Sequence, residues 1–189
     1  MADLIKFCNK FSQLNDNAAT DLLQNTTTKK YKKGDYIFRQ GIVCEHLYFI
    51  NEGLVKCFFY GESTEKEFVL GFFTEDAMFS LYDSLTPQPV SNLNLIALED
   101  TSLILIKYDV MENLCKKHHC IETFYRRLIN STMIGVVRLV CEMAENNTVN
   151  RYNNFVKKHG KLMQRLKLGD VAKLFGITQQ SLSRLRAKK

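Results

Sequence analysis

The chain contains no CxxC pair. Its six cysteines, Cys8, Cys44, Cys57, Cys115, Cys120 and Cys141, stand singly, at no spacing that suits a zinc or iron–sulfur ligand set. Free thiols in a reducing cytoplasm are the simplest reading. No apolar run approaches the ~20 residues of a membrane span. The opening MADLIKFCNKFSQLND is interrupted by Asp3, Lys6, Asn9 and Lys10, so no export signal is expected there. A glycine-rich phosphate loop, HExxH and GxSxG are all missing, which leaves an enzyme on a small β-barrel as a rival with no residues to assign. The expectation is therefore a cytoplasmic protein, not an enzyme, with no metal and no membrane partner. With 189 residues, 46% of them hydrophobic, one large or two small domains can bury a core without staples.

Acidic residues are also scarce in one place. Residues 1–150 hold 15 Lys and Arg against 19 Asp and Glu, a net −4, whereas residues 151–189 hold 11 against the single Asp170, a net +10. So uniformly positive a segment repels itself, which is tolerable when its partner is a polyanion. A solvated lysine-rich tail is the bland alternative on charge alone.

Three textures follow one another. Up to about residue 25, Leu4, Phe7, Phe11, Leu14, Leu22 and Leu23 recur at helical spacing and predict one or two short helices. From Tyr31 to Ile106, short runs such as YIF, HLYFI, LVKCFFY, EFVLGFF, NLIAL and SLILI are bounded by glycines. They predict a many-stranded antiparallel sheet closed into a barrel or roll. From Asp109 the helical period returns, and the longest helix is predicted from about Cys120 to Glu145 with two adjacent stripes. Ile129, Met133, Val136, Val140 and Met143 form one; Tyr125, Leu128, Thr132, Gly135 and Leu139 form the other. One stripe can pack on the β domain and the other on a second copy of the helix, against the alternative of a single helix buried in a monomer. Gly135 is easier to explain where another backbone approaches closely. The polar run AENNTVN predicts a hinge or domain boundary near Asn146–Asn150.

The segment LGDVAKLFGITQQSLSRLRAKK carries the most information. It reads as a helix from about Asp170 to Phe175 and a second from about Gln179 to Ala187, with Gly176 at the turn. Thr178 is placed to cap the second helix, and Asp170 sits at the favourable end of the first. Val171, Phe175, Ile177, Leu182 and Leu185 face one shared core, and small Ala172 allows close contact, the pattern of a helix-turn-helix. A helix hairpin with no role on DNA is the alternative. On the outer face, Gln179, Gln180, Ser181 and Arg184 are candidate base readers, since Gln and Arg bond bidentately to adenine and guanine edges. Thr178, Lys167, Arg186 and Lys188 are the candidate phosphate contacts.

In this order, a β-rich region, a long helix and a terminal helix-turn-helix, the chain resembles the catabolite-activator/fumarate-nitrate-regulator (CRP/FNR) family of bacterial transcription factors. YKKGDYIFRQGIVCEHLYFINEGLVKCFF looks like the first half of the family's cyclic-nucleotide-type β-roll, with Gly34, Gly41 and Gly53 at its turns. ALEDTSLILI continues it, and LGITQQSLSRLR looks like the recognition helix. The resemblance implies an α+β fold divided into a sensory β-roll (1–118), a dimerisation helix (119–147) and a helix-turn-helix domain (148–189). It also implies a homodimer on a near-palindromic site in double-stranded DNA, with RNA polymerase as a further partner. The dimer helix would present Tyr125, Leu128, Ile129, Thr132, Met133, Val136 and Val140.

The ligand pocket departs from the family pattern. Where cyclic AMP binders carry Gly-Glu-Leu, this chain has Phe79-Ser80-Leu81, and where they carry Arg-Ser it has Ser91-Asn92. Phe79 should crowd the backbone approach, and no arginine is fixed for the phosphate. Cyclic AMP is therefore not the expected ligand; no cofactor is predicted and the effector stays open. Lone Cys8 cannot supply an iron–sulfur cluster, and His46, His118, His119 and Cys57, the side chains a haem iron could use, read better as structural or surface groups. The sequence stops three residues after Arg186, without the hairpin wing usual in the family, so fewer phosphate contacts are expected. The rival from another class is a nucleotide- or small-molecule-binding module whose helical tail contacts protein.

Overall fold

The computed structural model describes residues 2–86, 89–145 and 147–187. Two helices open the chain, α1 (Ala2–Asn9) and α2 (Asp16–Gln24). Asn15 caps α2 by accepting the Ala18 amide at 2.9 Å, which satisfies one of the donors left free at a helix start. Leu4, Phe7, Leu14 and Leu22 turn inward from these helices.

Eight strands follow: β1 (Thr27–Tyr31), β2 (Tyr36–Phe38), β3 (His46–Glu52), β4 (Val55–Tyr60), β5 (Glu67–Phe73), β6 (Met78–Phe79), β7 (Asn94–Ala97) and β8 (Thr101–Lys107). They form two antiparallel four-stranded sheets, ordered β1-β8-β3-β6 and β2-β7-β4-β5, which is the expected β-roll. Six of the strands lie on the apolar runs read from the sequence. The other two carried no such signal: β1, TTKKY, buries only Tyr31 and exists because it pairs with β8 along its whole length, and β6 is two residues long. Gly53, between β3 and β4, has φ +110°, and a Cβ there would come within 2.7 Å of the Thr101 Cα. No other residue lets that turn lie against β8.

A short α3 (Tyr82–Leu85) interrupts the roll. Beyond the strands, α4 (Tyr108–Lys117) leads into α5 (His119–Glu145). The elbow is tied back to α2, where the Asp21 carboxylate meets His118 Nε2 at 2.7 Å and Lys117 Nζ at 2.6 Å. The helix then leads two lives. Ile121, Phe124, Tyr125 and Leu128 are buried in the same core as the β-roll, Phe124 edge-on to Phe7 and Phe11. From Ser131 to Cys141 every residue is exposed.

The rest forms a second core. Helices α6 (Thr148–Lys158), α7 (Gly160–Met163), α8 (Leu168–Leu174) and α9 (Gln179–Ala187) gather around Tyr152, Val171, Ala172, Phe175 and Leu182. Tyr152 and Phe155 meet the Phe175 ring edge-on, each at 5.7 Å, the preferred arrangement of aromatic quadrupoles.

Candidate nucleic-acid interface and its seat on the β-roll

The turn between α8 and α9 is built as its residues require. Gly176 has φ +66°, the left-handed conformation that ends α8 without a Cβ penalty. Thr178 Oγ1 accepts the Ser181 amide at 3.1 Å and lies 2.9 Å from Ser181 Oγ, so this hydroxyl is committed to starting α9. Leu182 is fully buried on the inner side of α9, and Leu185 is half-buried. On the same helix Gln179, Gln180, Ser181, Arg184 and Arg186 are all exposed. Lys188 lies outside the described residues.

Two of the candidate contacts sit in a particular place. Gln179 lies over the start of α8, its Nε2 so near Gly169 that a Cβ there would stand 2.6 Å away. Together with Lys167 it lines a cleft whose other wall, Lys33, Gly34 and Ala97, belongs to the β-roll. The helix-turn-helix thus rests on the roll of its own chain.

Charged groups make this contact, and of them the sequence pointed only to Asp170, as a charge at a helix start. Lys56 on β4 is 7% exposed, and its Nζ reaches Glu67 on β5 at 2.7 Å and Asp170 on α8 at 2.9 Å. Burial works against the Lys56 ammonium, but its hydrogen bonds to Glu67 and Asp170 overcome that and leave its pKa raised. Burial would also raise the Glu67 carboxyl, yet hydrogen bonds from Lys173 and Lys56 hold it below its ordinary value. Lys173 of α8 completes the network at 2.8 Å from Glu67. A second clamp is Arg165, which grips Glu75 with two hydrogen bonds of 2.8 Å and also bonds Glu99. The Arg165 hydrogen bonds bring the Glu75 carboxyl down to about 2. One signal was available: Lys56 is the lone charge inside the apolar run LVKCFFY, and a charge so placed needs partners.

Most residues at the nucleotide-pocket positions are taken up by the core. Phe79 is 5% exposed, stacked on Phe73 with centroids 4.1 Å apart and on Tyr48 at 5.5 Å. Ser80 donates to the His46 carbonyl at 2.8 Å, and Leu81 is buried. Ser91, fully buried, donates to Asp83 at 2.8 Å, while Asn92 is exposed. The haem candidates are scattered. Cys57 is buried, which pushes its thiol up to about 12, His118 is bound to Asp21, and His119 is on the surface. Among the described residues no three His, Cys, Asp or Glu side chains gather as metal ligands.

The stripes of α5 divide along the helix rather than only around it. Tyr125 and Leu128 lie in the core of their own chain, Ile129 is partly buried against it, and the Thr132 hydroxyl donates to the Leu128 carbonyl. Met133, Val136 and Val140 are 59%, 49% and 59% exposed, as are Ile134, Val137 and Met143 to a similar degree. Tyr125 and Leu128 therefore have a partner inside the chain, while the apolar side chains from Met133 to Met143 are exposed among the described residues.

Strand order, long helix and terminal helix-turn-helix together define the fold, an eight-stranded antiparallel β-roll joined by α5 to a small helical unit. Residues 28–118 match the family model of the cyclic nucleotide-binding domain. No curated protein sequence matches the chain. Among solved structures, the chain is similar to the c-di-GMP responsive global regulator CLP of Xanthomonas campestris, with TM-score 0.74 and 16% identity over 92% of this chain and 91% of that one. It is similar to the catabolite activator protein of Thermus thermophilus, with TM-score 0.60 and 20% identity over 94% and 84%. A protein from Eubacterium rectale assigned to the crp/fnr family gives TM-score 0.70 and 17% identity over 91% and 82%. The chain has the fold of these CRP/FNR-type structures, and no described helix is long and apolar enough to cross a membrane.

Proposed function

We propose that the chain is a transcription regulator of the CRP/FNR type that binds double-stranded DNA as a homodimer and acts through RNA polymerase. The observation that carries this reading is α9. It buries Leu182 and exposes Gln179, Gln180, Ser181 and Arg184 at the end of the chain where the charge is +10. Glutamine and arginine near the start of such a helix suit base edges in a major groove. In this reading Thr178, Lys167, Arg186 and Lys188 serve the phosphates, with Thr178 doing so through its backbone because its hydroxyl is committed to the cap. Residues 1–118 serve as the sensory unit, 119–147 as the dimerisation helix and 148–189 as the DNA-binding unit.

The exposed half of α5 supports the dimer. Seven large apolar side chains between Met133 and Met143 are about half exposed or more, a contiguous patch of the kind that marks a protein interface. Pairing α5 with its copy places Met133, Val136 and Val140 at the seam, with Ile129 and Thr132 at its edge.

Cyclic AMP is not the effector in this account. The Phe79 ring occupies the space that a glycine backbone would leave open, and the hydroxyl of Ser91 faces the Asp83 carboxylate instead of an arginine. A carboxylate repels a cyclic phosphate. Electrophoretic mobility shift with fragments of the native genome tests the regulator reading, and calorimetric titration with cyclic AMP tests the exclusion.

A further inference from the structure

We propose that a cavity between the β-roll, the exposed half of α5 and the helix-turn-helix unit is a binding site for a small amphipathic anion. The cavity has a volume of ≈ 360 Å³, within the range of about 300–1,000 Å³ usual for small-molecule sites. Its walls come from three parts of the chain: Leu70 and Phe73 from β5, Leu139 from α5, and Phe155 and Phe175 from the helical unit. Leu70 and Leu139 are 48% and 46% exposed, so apolar surface faces the space from both sides. The first is on the roll's own hairpin, and the second is on the side of α5 that carries Leu128 rather than the Val136 and Val140 seam.

The charge around this space is mainly basic. Arg151, half-buried, and Lys158 line the cavity together with His159. Arg151 lies 5.8 Å over the Phe175 ring, and among the described residues neither it nor Lys158 has a carboxylate partner. Elsewhere on the same domain contact Lys56, Lys173 and Arg165 are all paired with acids. The lining holds one acid, Glu142, whose carboxylate accepts a hydrogen bond from Asn154 at 3.0 Å. A half-buried guanidinium without a carboxylate partner, above an aromatic ring and beside an apolar wall, suits a carboxylate or phosphate carried on an apolar body. Because the three walls belong to the sensing roll, the dimer helix and the DNA-reading unit, an occupant holds them in one arrangement. It would thereby be the effector of the proposed regulator. Only this last step rests on the DNA-binding reading.

Octanoate and 1-octanol, titrated calorimetrically into the full chain, separate charge from apolar contact. Octanoate is expected to bind about tenfold more tightly than the alcohol, as expected for a charge-assisted bond. Arg151→Gln should erase that difference. A Cβ at Gly71, which lines the cavity, would meet nothing within 4 Å. Gly71→Leu can therefore add volume without a clash and should weaken both ligands at least about tenfold. Equal affinities for the two ligands in the native chain, or unchanged binding in Gly71→Leu, overturns the site. If octanoate binds and the native chain's affinity for DNA stays the same, the effector role falls while the site stands. If no DNA is bound at all, the regulator reading fails instead, and the calorimetry still decides the site.

Discussion

Lys56 and Asp170 are 114 residues apart in the chain and 2.9 Å apart in space. One belongs to the β-roll and the other to the first turn of α8, and Glu67 shares the same ammonium. A cation 7% exposed between two carboxylates makes the seat of the helix-turn-helix a matter of charge as much as of apolar contact. Removing the cation leaves Asp170 without its partner and Glu67 with Lys173 alone. Lys56→Met should therefore lower stability by about 3 kcal/mol, the lower end for a broken buried pair, since Glu67 and Asp170 keep 16% and 13% exposure. Adding Asp170→Asn to that variant should recover part of the loss. Urea unfolding of the three proteins checks both statements; a double variant weaker than the single one would refute the charge argument.

The second clamp predicts a pH dependence. Arg165 holds the Glu75 carboxyl down to about 2, below the ordinary value of about 4.3. A depressed carboxyl lends stability that is full above its ordinary value and drains away as pH falls from there towards about 2. Both partners keep roughly a third of their surface in solvent, 31% and 40%, so screening limits the effect to about 0.2–1 kcal/mol. Arg165→Met should flatten the acid limb of the stability curve, measured by thermal unfolding at a series of pH values, and high salt should flatten it in the native chain.

The exposed half of α5 predicts assembly. A charge at Val136 or Val140 would be buried without a partner at the seam, so Val136→Glu should give a monomer in sedimentation velocity and weaken binding to a two-half-site DNA. Tyr125 and Leu128 behave differently, because they belong to the chain's own core. Leu128→Ala should cost about 2–5 kcal/mol of folding stability, read from denaturant unfolding.

The pocket positions predict that cyclic AMP gives no heat in calorimetry, even at millimolar concentration. Phe79→Ala removes a ring stacked between two others and should cost about 3–5 kcal/mol of stability without creating a cyclic AMP site, since no arginine is gained. Micromolar binding by the native chain would overturn this exclusion.

The strands and the helix-turn-helix were legible because their residues satisfy local rules. HLYFI and SLILI are apolar runs bounded by turns, and Gly176 and Thr178 do what their backbone and hydroxyl favour anywhere. β1 was not legible, because four of the five residues of TTKKY face solvent and only the β8 partner makes them a strand. The division of α5 was half legible. Both stripes were visible, but which stretch of them a neighbour covers depends on how far along α5 the core of the roll reaches, to Leu128, and periodicity does not carry that. The seat of the helix-turn-helix was least legible of all, since Lys56–Asp170 and Arg165–Glu75 join residues about half the chain apart.

Reading of bases and holding of phosphates separate in mutants. Arg184→Ala should cost about 1–3 kcal/mol on the best site and relax preference at one base pair, whereas Lys167→Ala should weaken all sequences alike. Selection of binding sites from a random pool, repeated for each variant, distinguishes the two.

The most direct test of the whole account is the affinity of the full chain for fragments of its own genome as salt is varied. The account predicts binding at low ionic strength that falls with a log–log slope of about −0.9 for each phosphate neutralised, several per subunit given the basic excess beyond residue 150. Failure to bind any duplex, even at the lowest salt, would contradict it.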